Sequence, residues 1–555
     1  DTLPVMGRVW GIDAVARGSS TSFYGNIVAL SESPKVEGLL YAGTDDGLIQ
    51  VSEDGGANWR KQERFPGIPD NTYVARLEAS RFDAGTVYAA FDNHKQGDFK
   101  PYVLKSTDRG RTWTSIASDL PARGTVYVVI EDHVDPQLLF AGTEFGLFFT
   151  QDGGRKWIQL KGGLPTIQVR DLVIQEREND LVVGTFGRGI YVLDDYTPLR
   201  RARRETLEQE SVLFPVKAVP MYVETLPLGL RGKAFQGASH YTAPNPPFGA
   251  VFTYYLKEGY KSRRKQREEQ EREIQEESGV LHYPTREETR LELREEEPSI
   301  LVTVRDEQGN VVRRLTGPAT AGFHRVAWDL RLPPPDPASL EPFSFENPFA
   351  EPPRGPIVAP GPYRVELARV VDGQVTQLGE AATFQTTPVG TASLPAADRA
   401  EVLAFQRKTA NLQRAVLGAV EAVGEAQERL TLIRKALVDT PAADPALILR
   451  ARQLDQRLRD LSEKLTGDEL APARNEPAAP SIADRLGGII FGHWTSTSAP
   501  TKTFQDDYAI AAEAFAPVLQ EVRQLIEVDL AQLEKEMEAA GAPWTPGRVP
   551  AWQPE

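Results

Sequence analysis

The chain has 555 residues, of which 41% are apolar and 25% charged, with a net charge of −15 and no cysteine. That length exceeds one hydrophobic core and predicts roughly two to four domains, while the acidic balance argues against nucleic acid or an anionic membrane as the main partner. No stretch approaches the run of about 20 apolar residues that crosses a bilayer, and without cysteine there are no disulfides, thiolate nucleophiles or cysteine-based zinc sites.

The first two hundred residues are organised by a repeated octet. Residues 52–59 (SEDGGANW) read S-x-D-x-G-x-x-W, residues 106–113 (STDRGRTW) match fully, and residues 150–157 (TQDGGRKW) match with Thr for Ser. The octets start 54 and 44 residues apart, the spacing of four-stranded propeller blades. Around each octet the order of elements is constant. A first strand is expected at 27–31, 74–79, 126–131 and 169–174, and a second strand ends in Gly43-Thr44, Gly142-Thr143 or Gly184-Thr185. A glycine turn, a third strand, the octet and a short fourth strand beginning at the Trp complete the blade. Ser52, Asp54 and Trp59, Ser106, Asp108 and Trp113, and Thr150, Asp152 and Trp157 read as a structural turn staple. Their polar side chains bond amides of their own turn, and the Trp buries a large face. The competing reading makes the aspartates catalytic or metal-binding.

The octets resemble the Asp-box (BNR) repeat propellers, which include sialidases, two-propeller xyloglucan hydrolases and sortilin-type receptor domains. The ordered set YGNIVALSESP, LLYAGTDDGLI, KSTDRGRTW, LLFAGTEFGLF and LVVGTFGRGIYVLDDYTPL resembles the C-terminal half of large bacterial exported proteins, described as sortilin-like or BNR-repeat "glycosyl hydrolase-like". This resemblance covers nearly the whole chain. It implies an exported protein, periplasmic or at the cell surface.

Strand geometry puts the turn after the second strand and the entry into the first on one face, opposite the octets. Candidate ligand-facing residues are therefore Asp45, Asp46, Glu144, Phe145, Phe186 and Arg188, with His94 and Asp98 in the long insert of the second blade. Paired carboxylates beside aromatics suit a carbohydrate; Asp-Asp-Gly and Glu-Phe-Gly are equally ordinary turns. The fourth blade stops after Val192-Leu193 without an octet. Propellers close with four to eight blades, and about three and a half are legible. The missing blades are expected on an upstream segment or a separate polypeptide, with a closing strand near 8–12 or self-association as the other routes.

Beyond residues 1–199, residues 200–394 begin with a basic linker at 200–204 and continue as seven short strands, predicting an immunoglobulin-like β-sandwich. Its segments GFHRVAWDL and GPYRVEL resemble the small domain of flagellar hook-capping proteins. A charged helical insert at 257–298 and a Pro-rich insert at 333–360 interrupt it. In residues 395–540, apolar residues at threes and fours predict a three-helix antiparallel bundle. Residues 481–503 are expected as an apolar, glycine-rich loop, and 541–555 as a Pro/Trp tail whose tryptophans pack on another domain or subunit.

The six histidines are scattered without metal-ligand spacing, and no phosphate loop or G-x-S-x-G follows a strand. No cofactor or metal is expected. The Arg-Ile-Pro signature and arginine triad of sialidases are not visible. Two readings follow: a non-catalytic binding or scaffold protein whose propeller recognises a protein or glycan while sandwich and bundle dock, or a glycoside hydrolase with a carboxylate pair in a cleft of the complete propeller.

Overall fold

In the computed structural model of the chain, residues 25–224, 239–281, 283–344, 351–390 and 396–554 are described, with the isolated positions 9, 237 and 346. They fall into two compact units, Asp1–Glu210 and Ser211–Glu555. The closing strand expected near residues 8–12 lies outside the described residues, Val9 apart.

The first unit is four antiparallel sheets whose strands follow in sequence order. The first contains β1 (Ile27–Glu32), β2 (Leu40–Thr44), β3 (Ile49–Ser52) and β4 (Arg60–Gln62). The second contains β5 (Tyr73–Ala79), β6 (Val87–Asp92), β7 (Tyr102–Ser106) and β8 (Thr114–Ser115). The third contains β9 (Val126–Glu131), β10 (Leu139–Thr143), β11 (Gly146–Thr150) and β12 (Ile158–Leu160). The fourth has three strands, β13 (Val169–Gln175), β14 (Asp180–Thr185) and β15 (Ile190–Leu193). First strands of successive sheets pack against each other, which is how propeller blades are arranged. The outer strands start one residue after the octet Trp, not at it.

Each sheet buries one face on the next. Tyr41, Ile49 and Val51 of the first meet Leu77, Ala89 and Leu104 of the second. Tyr88, Ala90 and Val103 of the second meet Val129, Ala141 and Phe148 of the third. Phe140, Leu147 and Phe149 of the third meet Leu172, Leu181 and Val183 of the fourth. Trp113 packs edge-on to Phe65 in the link between β4 and β5, ring centroids 5.8 Å apart, and Trp157 donates its indole N–H to Ile116 O at 2.8 Å. Trp59 departs from the expected burial and stays 42% exposed, because it belongs to the first sheet and no described sheet precedes it.

After β15 the chain makes a turn at Thr197–Arg200 and a short helix α1 (Arg204–Leu207). The expected basic linker begins instead with a clamp. Arg200 donates Nε and Nη2 to the buried Asp132 carboxylate at 2.9 and 2.8 Å, and Tyr196 adds its hydroxyl. Burial alone would raise the Asp132 carboxyl, but these donors outweigh it and hold it low.

The second unit starts with two sheets. One orders β16 (Ser211–Leu213), β18 (Ala250–Leu256) and β21 (Gly322–Trp328). The other orders β17 (Val219–Met221), β23 (Gln374–Pro388), β22 (Gly361–Val371), β19 (Ser299–Asp306) and β20 (Val311–Gly317). Phe252, Tyr254 and Trp328 from the first share one core with Val302, Val365 and Phe384 from the second. The two short strands that open the unit, β16 and β17, fall in different sheets. The charged insert forms helices α2 (Arg263–Glu276) and α3 (Arg286–Arg294), neither with a buried residue. They are tied by Arg267 to Glu292 across the pair and to Glu271 along its own helix.

The helical region contains α4 (Arg399–Val438), α5 (Pro445–Thr466), the short α6 (Leu470–Ala473), α7 (Ile482–His493), α8 (Lys502–Arg523) and α9 (Ala531–Ala539). A π-helical segment, Gln524–Leu530, joins α8 to α9. The loop expected at 481–503 is therefore largely a helix. Ser481 and Asp484 form a reciprocal capping box, and Ile482, Leu486 and Ile489 line the buried side of α7. The tail tryptophans, Trp544 and Trp552, are 62% and 81% exposed on the chain.

Candidate functional site

The up-and-down strands give each sheet of the first unit two ends. At one end the octet packs on the first turn of its own sheet: Arg109 N donates to Gly85 O at 2.8 Å and Gly153 N to Gln137 O at 3.0 Å. The octets are near copies. Ser52, Ser106 and Thr150 each donate a hydroxyl to Asp54, Asp108 and Asp152 at 2.8, 2.8 and 2.7 Å. The same hydroxyls accept from Gly56, Gly110 and Gly154 N. Slight burial would raise the Asp108 carboxyl, but the bonds from Thr112, Ser106 and Arg111 bring it down to about 2. All of this is spent inside the turn.

The other end carries all eight candidate residues, and a β-bulge shapes it. The pairing of every first strand skips one residue at the same place: Val28, Ala75, Tyr127 and Arg170. Bulges re-aim side chains at rims and sites. In the last two sheets the bulged residues are a Tyr and an Arg, and the Arg170 guanidinium lies 4.0 Å from the centre of the Tyr127 ring. Tyr127 donates its hydroxyl to Glu144, which also accepts from Gln168 Nε2 of the next sheet.

Asp45, Asp92 and Glu144 stand at the end of the second strand in three successive sheets, and Phe186 takes that position in the fourth. Asp45 is buried and accepts from Gly25 N at 2.8 Å, Asn26 N at 3.0 Å and Asn26 Nδ2 at 2.9 Å. Asp92 holds the His94 ring Nδ1 at 2.6 Å. Asp46 accepts from the Thr44 hydroxyl. Asp98 accepts from the Tyr102 hydroxyl at 2.6 Å and Asn93 Nδ2 at 3.2 Å; burial would raise its carboxyl, and these donors hold it low. Lys95 sits 5.5 Å from the Tyr73 ring centre. Burial, then Asp45 and Asp92, push the Tyr73 phenol up. Phe145, Phe186 and Arg188 are exposed at the same turns.

The candidate acids are thus fixed by internal donors, and the rim reads as carboxylate, tyrosine, carboxylate, tyrosine, carboxylate. Tyr73, Tyr127, Gln168 and Arg170 escaped the sequence reading, whereas Asp92 lies in the second-blade insert that it placed with the candidates. Aligning the repeats on the residue after each first-strand start would have found the bulged positions.

Deeper along the first strands, Arg76 reaches Asp171 of the fourth sheet at 3.3 Å and Glu78 of its own strand at 3.8 Å. Burial pushes the Glu78 carboxyl up to about 7, against the lowering effect of Arg76 and Arg81. Among the described residues no group of three or more His, Asp or Glu could hold a metal ion, and no helix is long and apolar enough to cross a membrane. In the second unit a small cleft lies between Ile357–Pro360 and the start of α4, lined also by Arg399, Gln406, Ser496 and Thr497.

No protein-family model matches the chain, and no curated protein matches it. Solved structures with a partial likeness include YCF48 bound to D1 peptide, at 15% identity and TM-score 0.25 over 31% of this chain and 51% of that one. YCF48 from Cyanidioschyzon merolae matches at 16% identity and TM-score 0.24, over 30% of this chain and 52% of that one. The GH74 xyloglucanase from Xanthomonas campestris matches at 15% identity and TM-score 0.26, over 64% of this chain and 45% of that one. The chain thus spans about half the length of the structures it resembles.

Proposed function

We propose that the first unit is a non-catalytic recognition module that binds a protein or glycan on the rim opposite its octets, with the second unit serving docking or assembly. The observation that carries this reading is how the rim acids are used. Asp45, Asp92 and Glu144 are each held by fixed internal donors, so they shape a surface rather than stand ready to move protons. Phe145, Phe186 and Arg188 remain exposed around them, the mixture of ring and cation that contact surfaces favour. In the second unit, the immunoglobulin-like sandwich proposed from the sequence fits the two sheets over one core.

The test is binding of the 555-residue chain to immobilised polysaccharides and to a peptide array, with F186A and R188A as variants. Both side chains are exposed, so their melting temperatures should stay at the wild-type value. A ligand retained by the wild type and lost at least tenfold by either variant supports the rim. Retention unchanged in both sinks it.

One observation favours a second reading, glycoside hydrolysis. Glu78, carried up to about 7 chiefly by burial, is a carboxyl able to hold a proton at neutral pH, and Arg76 links it to the carboxylate of Asp171. Reducing-sugar release from xyloglucan that vanishes in E78Q would establish this reading; equal release by E78Q and wild type would remove it.

A further inference from the structure

The positions that bury each sheet on its neighbour can be compared across the array, because the strand registers align them. Leu30, Leu77, Val129 and Leu172 are one position, each opposite the Ala42, Ala89, Ala141 or Val183 of its second strand. Leu77, Val129 and Leu172 are buried on the preceding sheet, whereas Leu30 is 69% exposed. The octet Trp behaves alike: Trp113 and Trp157 are 8% and 5% exposed, Trp59 42%.

The opposite face shows the same contrast at the other end. Val192 stands where Val51, Lys105 and Phe149 stand, and Ile190 where Ile49, Val103 and Leu147 stand. All of those but the half-buried Lys105 are buried, while Val192 and Ile190 are 51% and 73% exposed. Val173, paired with Val182 and through it with Val192, is 55% exposed. The fourth sheet also lacks an outer strand, because Tyr196 and Arg200 draw the chain to Asp132 just beyond β15. Among the described residues, one end of the array thus presents a leading face with no sheet ahead of it, and the other a trailing face with no sheet behind it. Exposed apolar sheet faces with a free edge are association surfaces.

We propose that the occupant of each face is a second copy of this chain, joined head to tail. At every internal junction a trailing face receives the leading face of the next sheet. A second copy offers at its first sheet the face that the fourth sheet lacks, and at its fourth the face that the first lacks. Two copies related by a two-fold axis make this contact twice, leading face on trailing face at both junctions, and close a ring of eight blades, within the range propellers use. The inference does not depend on what the rim binds.

The experiment is sedimentation equilibrium of the 555-residue chain over about 1–100 μM (a span that brackets micromolar dimers), alone and as the variants L30D and V192D. Both side chains are exposed, and a retained cooperative melting transition confirms that each variant folds, a lower midpoint being the expected loss of the partner. The wild type is expected at twice its 61.3 kDa and each variant alone at the monomer mass. An equimolar mixture of L30D and V192D regains dimer, because one intact pair of faces remains between the two variants. A wild type that stays monomeric throughout overturns the proposal and leaves the faces to blades from another segment or chain. Dimers that survive in both variants, or a mixture that stays monomeric, also overturn it.

Discussion

The two ends of the blade array were built by different rules. At the octet end, three turns repeat the same hydroxyl-to-carboxylate and amide-to-hydroxyl bonds, at 2.7–2.8 Å and 2.8–3.0 Å. At the rim, the equivalent positions run Asp45, Asp92, Glu144 and Phe186, and the bulged ones Val28, Ala75, Tyr127 and Arg170. Repetition marks a requirement that every blade shares, which is to hold a tight turn and anchor a Trp. Divergence on a common scaffold marks positions released from that requirement and available for recognition.

The largest effect should separate octets that look alike in sequence. Trp113→Ala empties a buried site between two sheets and should cost about 3–5 kcal/mol, whereas Trp59→Ala should cost at most about 1 kcal/mol in the monomeric L30D background, both read by denaturant titration. A larger Trp59 loss in the wild type than in L30D is what the head-to-tail dimer requires, because the second copy covers that Trp.

A pH effect of intermediate size comes from between the two ends. The Glu78 carboxyl titrates near 4.5 when unfolded and at about 7 when folded. The native state therefore holds an extra proton between those values. Its contribution is fully present below 4.5 and is lost as pH rises through 7, on the order of 3 kcal/mol in all. Unfolding free energy measured from pH 4.5 to 7.5 should fall by that amount in the wild type and lose that part of the slope in Glu78→Gln. A slope that survives the substitution would reassign the proton.

The smallest effects contrast the ends directly. Asp108→Ala breaks the bonds its carboxylate accepts in the octet turn and should cost about 1–2 kcal/mol with rim binding intact. Tyr127→Phe removes one hydroxyl donor to Glu144 and should cost about 0.5–1 kcal/mol while weakening any rim ligand. If Asp108→Ala instead abolished binding of a folded protein, the functional end would have been misassigned.

Much of this architecture was legible because it is local. Glycines 43, 142 and 184 before a threonine, the octets and the alternating runs place strands within a residue or two, since turn chemistry and a period of two act between near neighbours. The helix α7 was missed because glycines 487, 488 and 492 look like loop composition, yet the Ser481–Asp484 capping box and the buried stripe of Ile482, Leu486 and Ile489 outweigh them. At the site, exposure of Phe145, Phe186 and Arg188 followed from their turns. The capture of Asp45 and Glu144 by donors from neighbouring strands did not, because those donors lie about 20 residues away in sequence.

By itself, then, the sequence determined the four-sheet repeat, the octet staples, a helical C-terminal region and the end of the array at Leu193, all products of short-range pattern. Only the tertiary structure decided that Trp59 is exposed while its two counterparts are buried, that Arg200 closes on Asp132, and that Arg170 lies over Tyr127. Burial and pairing of this kind depend on which surface arrives from a distant part of the chain, and no local pattern encodes that arrival.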